Sequence, residues 1–287
     1  MYRLRIPARD QTHADNICDA LMSALEPETS TAGLVETERG WLAEAFYTEE
    51  PAADAVRTHL ARVLGGEDEM SLQIEALADK DWVAESLEAM PPVFAGRFAV
   101  FGHHDRHRVP KNAVGIEIEA SRAFGTGHHG TTKGCLEALD GLIKARRFRR
   151  PIDIGAGTGV LAIAIARVLR RTVIATDIDP VAVDITRDNA AKNGVAPLIK
   201  AWTADGARDA AIRAGGPYDL IVANILAKPL VRLAPDVARI ADRDSVVVLS
   251  GLLTWQRRQV EAAWRHFGFV PRRRLVIDGW ATLVLSR

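Results

Sequence analysis

Only two cysteines occur in 287 residues, Cys18 and Cys135, and they form no disulfide or metal-binding pattern, so both read as small buried residues. No apolar run approaches the ~18 residues that cross a bilayer, and the opening MYRLRIPARD lacks the apolar core of a signal peptide. A cytoplasmic protein without membrane association is expected. Internal repeats and low-complexity segments are missing as well. Net charge is zero, yet it is unevenly spread: residues 1–85 carry 7 Lys+Arg against 18 Asp+Glu, and the remaining chain carries 30 against 19. The two parts should therefore differ in their partners, the acidic one repelling nucleic acid and attracting a Lys-rich protein.

What is present is a chain 48% hydrophobic and 26% charged, long enough for two domains. Residues 1–80 read as strand 2–8, helix 12–25, strands near 33–37 and 41–47, helix 51–65 and strand 71–77. That β-α-β-β-α-β order predicts a small α+β ferredoxin-like domain, without any catalytic cluster, and suggests recognition. Residues 81–112 read as a linker helix (81–90) and a connecting segment. His103, His104, Asp105 and His107 fall there in a Pro- and Gly-rich stretch that would not converge them, so no metal is expected. From 113 onward a second domain begins. Strands at 152–154, 172–177, 198–204, 219–225 and 245–251 alternate with helices, and strands 273–279 and 281–287 are too close for anything but an antiparallel hairpin. The expected fold is α/β, a seven-stranded sheet ending in an antiparallel hairpin.

The stretch DIGAGTGVLAIA (153–164) puts glycines at 155, 157 and 159 between a strand and an apolar helix, the arrangement of a nucleotide-binding turn. The dinucleotide fingerprint wants a third glycine where this chain has Val160, which argues against NAD. Asp177 lies 22 positions after Gly155 at the end of the next strand, close to the ~20-residue spacing at which an acid reaches ribose hydroxyls. Asp179, followed by Pro180, is the better helix cap, which leaves Asp177 for a ligand. Asp205 is either an acceptor for an adenine amino group or a turn residue before Gly206. Asn224 ends the fourth strand, where such sheets do their chemistry. Its carbonyl suits an amine that must lose its proton before accepting a methyl group, because it adds no charge that favours ammonium; as a plain structural element it would cap the next helix. In AFGTGHHGTTKG (123–134), Thr131 and Thr132 either cap a helix or reach a ligand carboxylate. His128 and His129 are read as orienting the loop rather than as bases.

AFGTGHHGTT (123–132), DIGAGTGVLAIA, ATDIDPVAV (175–183), DNAAKNGV (188–195), VANILAKPL (222–230) and GWATLVLSR (279–287) together resemble the ribosomal protein L11 methyltransferases, the PrmA family. The resemblance implies a class I S-adenosylmethionine-dependent fold, with Thr132, Gly155, Asp177 and Asn224 at cofactor-binding positions and Gly157 and Asp205 added from the readings above. It implies as substrate the lysine and N-terminal amino groups of ribosomal protein L11, and the reading of Asn224 above makes it the catalytic residue. A monomer without a nucleic-acid substrate is expected. Many members of the family read Thr-His-Pro where this chain has His128-His129-Gly130. The other readings are a lysine methyltransferase of the electron-transfer flavoprotein β-subunit type, which lacks the long N-terminal domain, a regulatory module that has lost catalysis, and an RNA methyltransferase prompted by KARRFRR (144–150).

Overall fold

The computed structural model describes residues 2–22, 24, 29, 31–37, 40–65, 70–76, 92–118 and 129–287. The chain divides into two compact units, Met1–Trp82 and Val83–Arg287. The expected helix at 81–90, the strand end at 77 and the loop 119–128 with His128 lie outside the described residues.

In the first unit β1 (Tyr2–Ala8), α1 (Gln11–Met22), β2 (Thr31–Thr37), β3 (Gly40–Tyr47), α2 (Ala53–Leu64) and β4 (Gln73–Ala76) follow the expected order. The sheet runs β2-β3-β1-β4 and is antiparallel throughout. Alternation in β1 explains its two faces. Leu4 and Ile6 are fully buried, while Arg3 pairs with Glu75 at 2.7 Å and Arg5 with Glu44 at 2.8 Å. Ala14, Ile17, Cys18 and Leu21, at helical spacing, turn one face of α1 onto this core. Burial pushes the Cys18 thiol up to about 12, so it is inert.

The second unit opens with a sheet that the sequence reading had taken as a connecting segment. β5 (Val93–Ala95), β6 (Phe98–Phe101) and β7 (Val114–Glu117) form three strands, the last pair parallel. Phe98, Val100 and Ile116 join the main core beneath them. Between β6 and β7 the 3-10 turn His103–Arg108 sends His103 Nδ1 to Glu117 at 2.9 Å and His104 to Asp105 at 3.3 Å. His103 and His104 thus serve carboxylates of their own turn and strand, and His107 Nδ1 meets the His104 carbonyl at 3.0 Å.

Then come α3 (His129–Ala145), β8 (Pro151–Ile154), α4 (Val160–Leu169), β9 (Val173–Asp177), α5 (Pro180–Lys192), β10 (Ile199–Thr203), α6 (Ala210–Gly215), β11 (Tyr218–Asn224), α7 (Ala227–Ile240), β12 (Ala241–Leu253), α8 (Arg257–His266), β13 (Val270–Ile277) and β14 (Trp280–Ser286). The sheet order is β10-β9-β8-β11-β12-β14-β13, parallel except for β14, which runs antiparallel to both neighbours. Ile277 pairs with Trp280, leaving Asp278-Gly279 as a two-residue turn with both φ positive, at 49° and 78°. Residues 160–166 of α4 are all buried, because the helix meets the large sheet on one side and packs in the same core as β5–β7 on the other. Order reverses between β8 and β11, which makes a crevice at their carboxyl ends. No helix among the described residues is long and apolar enough to cross a membrane.

Candidate active site

Four strand ends build one rim. Gly155 follows β8, Asp177 ends β9, Asp205 follows β10 and Asn224 ends β11. These strands are neighbours, so three strand spacings, roughly 14 Å, separate the outer positions, the length of an extended nucleoside with its substituent.

The glycine loop adopts the backbone that its composition predicts, with φ of 74°, 55° and 79° at Gly155, Gly157 and Gly159. The N–H groups of Gly155 and Ala156 both donate to the Thr176 carbonyl, at 2.7 and 2.9 Å. A Cβ at Gly155 would overlap Cγ2 of Ile225, so the absence of a side chain here lets Ile225 approach the glycine loop closely.

Asp177 does more than its place at a strand end predicts. Its Oδ2 accepts the Gly157 N–H at 2.8 Å and its Oδ1 accepts the Asp179 N–H at 3.1 Å. The second bond is a local Asx turn, which the i, i+2 spacing makes almost free of entropic cost. Each oxygen keeps a further lone pair, so the carboxylate can brace the glycine loop and still accept hydroxyl protons. Asp179 caps α5 as expected, accepting the Val181 N–H at 2.8 Å ahead of Pro180. Asp205 is exposed in the turn before Gly206, whose φ is 59°.

Asn224 does not cap the next helix. The N-cap position of α7 falls on Leu226, which makes no side-chain cap bond. Instead Asn224 Nδ2 donates to Thr131 Oγ1 at 3.4 Å, across 93 positions of chain. Thr131 and Thr132 are both buried in the first turn of α3. That turn lies flush on the β13–β14 hairpin because Gly130 and Gly134 have no Cβ: one at 130 would stand 2.7 Å from the Ile277 carbonyl oxygen, and one at 134 would overlap Thr282 Oγ1. Thr131 is thus the partner that sequence reasoning had not joined to Asn224.

Three further residues escaped the sequence reading. Gly251, at φ 86°, breaks the register of β12 between Leu249 and Leu252, and a Cβ there would come within 2.9 Å of the Ile225 nitrogen. Ile225 is held between Gly155 and Gly251, its N–H donating to Ser250 at 3.1 Å. The signal was a glycine inside the apolar run SVVVLSGLL, which marks a bulge or a close backbone approach. The third is Asp153, 1% exposed, whose Oδ2 accepts the Ala162 N–H at 2.9 Å while Oδ1 is buried without a partner. Burial, and secondarily the charge of Asp177, pushes its carboxyl up to about 7.

A glycine turn aimed at a helix N-terminus, carboxylates after two adjacent strands and an amide beside them suit a nucleoside carrying an amino acid. The family model described as ribosomal protein L11 methyltransferase (PrmA) matches residues 15–287. The chain belongs to this family. The L11 methyltransferase of Rhodopseudomonas palustris (strain BisB5) is 44% identical over 279 residues, covering 97% of this chain and 95% of its own length. That of Caulobacter sp. (strain K31) is 44% identical over 277 residues, covering 96% and 94%. The crystal structure of a ribosomal protein L11 methylase from Lactobacillus delbrueckii subsp. bulgaricus matches with a TM-score of 0.61 at 27% identity, covering 68% of this chain and 98% of that one. Membership makes the chain an S-adenosylmethionine-dependent protein methyltransferase of class I fold. The flavoprotein-type alternative is not supported, since the family match runs through most of the N-terminal unit as well.

Proposed function

We propose that the chain methylates lysine and N-terminal amino groups of ribosomal protein L11, free or on the large subunit, acting as a monomer on protein rather than on RNA. The observation that carries the site assignment is the junction of Asn224 with Thr131 at the end of β11, beside the glycine loop. S-adenosylmethionine supplies an activated methyl group on a sulfonium. Gly155 and Gly157 would shape the turn that holds it, Thr132 would add a hydroxyl at the start of α3, and Asp177 and Asp205 would offer acceptors to its hydroxyl and amino groups. The Asn224 amide donates to Thr131, which leaves its carbonyl oxygen to accept an N–H of the incoming amine. This oxygen would orient the neutral amine toward the activated methyl group without adding the negative charge by which a carboxylate would favour ammonium.

The acidic N-terminal unit would capture the Lys-rich substrate protein, since it carries charge and, among the described residues, no catalytic cluster. Asn224→Ala tests the catalytic part. Turnover should fall by at least about tenfold, and by more than cofactor affinity does, because an interaction needed mainly in the transition state appears in kcat. Wild-type turnover would remove Asn224 from the mechanism.

A further inference from the structure

We propose that Leu226 is a substrate-contacting specificity residue, packing against the aliphatic stem of the target lysine at the mouth of the site. The inference rests on the assignment of Asn224 above.

Direction is set by the neighbouring residue. Ile225 is pinned between Gly155 and Gly251 with its N–H on Ser250, and Ala227 is buried at the start of α7. Leu226, between them, turns outward and is 54% exposed, two positions beyond Asn224. It also occupies the N-cap position of α7, at φ −57° and ψ 153°, without a cap bond. Ser, Thr, Asp or Asn would satisfy a first-turn N–H there, and leucine cannot. A large apolar side chain at this point therefore forgoes helix stabilisation and leaves more than half of its surface exposed. The loop after β12 adds a second exposed apolar group at the same end of the sheet, Trp255, 63% exposed.

A lysine brings four methylenes behind its amine, and such a stem packs along apolar surface while the head reaches a polar site. An apolar wall beside Asn224 also disfavours the ammonium form of the amine held there. Leu226 thus serves binding and deprotonation together.

The test compares Leu226→Ser and Leu226→Met with wild type, using full-length enzyme and full-length L11, with lysine methylation resolved by mass spectrometry. Expected for Leu226→Ser are a melting temperature equal to or above wild type, S-adenosylmethionine affinity within about twofold by calorimetry, and kcat/KM on lysine lower by about tenfold. Leu226→Met should keep near-wild-type kcat/KM. Unchanged kcat/KM in Leu226→Ser would overturn the proposal. So would a parallel loss of cofactor affinity, which marks a cofactor contact, or a melting temperature lower by several degrees, which marks a packing role. Asn224→Ala run alongside separates the two readings: an active Asn224→Ala variant defeats the assignment of Asn224, whatever Leu226→Ser does.

Discussion

Asp177 carries more of the structure than its position at a strand end indicates. It ties Gly157 to the turn before α5 through two backbone donors, so Asp177→Ala removes a brace together with the proposed ligand acceptor. S-adenosylmethionine affinity should fall ten- to a hundred-fold, the value of a charge-assisted bond at ~1.5–3 kcal/mol, and the melting temperature should drop as well. Calorimetry and a thermal melt on one sample check both; a variant that melts lower but binds the cofactor normally would confine Asp177 to the brace. Thr131 fixes the amide of Asn224, so Thr131→Val should lower kcat about tenfold at unchanged cofactor affinity, and Thr131→Ser should restore it. Asp153 gives a pH dependence. Its carboxyl is raised from 3.8 to about 7 in the folded chain, so the folded state holds this proton more tightly than the unfolded one. Its contribution to stability is therefore greatest below pH 4 and is lost as pH rises toward and through 7. Asp153→Asn keeps an acceptor for the Ala162 N–H and cannot ionise. Melting curves from pH 4 to pH 8 should show the variant gaining on wild type as pH rises; a constant difference would place the ionisation of Asp153 outside that range.

Among the elements, those whose local signals agree were readable from the chain. The cap at Asp179 and the apolar circumference of α4 each state their structure within a few residues, and the final hairpin was legible as a hairpin, although its turn falls on Asp278-Gly279, inside the expected strand 273–279. β5 to β7 were not readable, because three short apolar strands in a Pro- and Gly-rich stretch have too little periodicity to mark them, and they exist by packing in the core with α3 and α4. The bulge in β12 belongs to the same category of tertiary demand. Gly251→Ala would force an L residue to φ 86° and drive its Cβ into the Ile225 backbone, destabilising by about 2–4 kcal/mol. Chemical denaturation checks that value, and loss of turnover beyond the loss of folded protein would report displacement of Asn224.

For the whole molecule, charge and core are divided in the same place. One apolar cluster lies within residues 2–74 and two others within 93–285, so each unit has its own means of folding. The chain from Asp81 onward should therefore still bind S-adenosylmethionine, while methylating intact L11 slower by orders of magnitude. Exposed complementary charges are screened over ~8–10 Å at 0.1–0.15 M salt, so KM of the full-length enzyme for L11 should rise with ionic strength and that of the shortened chain should change little. Equal methylation of intact L11 by both would show that the acidic unit is not the recognition module.

By itself the sequence determined the order of strands and helices in the first unit and in the seven-stranded sheet, the glycine turn, the cap at Asp179 and the family, because each is written in contiguous residues whose spacing or chemistry is local. Only the tertiary structure decided that Asn224 meets Thr131 rather than capping α7, that Asp177 is a brace, and that Leu226 faces outward. Those outcomes depend on contacts across long stretches of chain, where Gly130, Gly134, Gly155 and Gly251 let backbones approach closely, and no periodicity in the sequence records which partner arrives there.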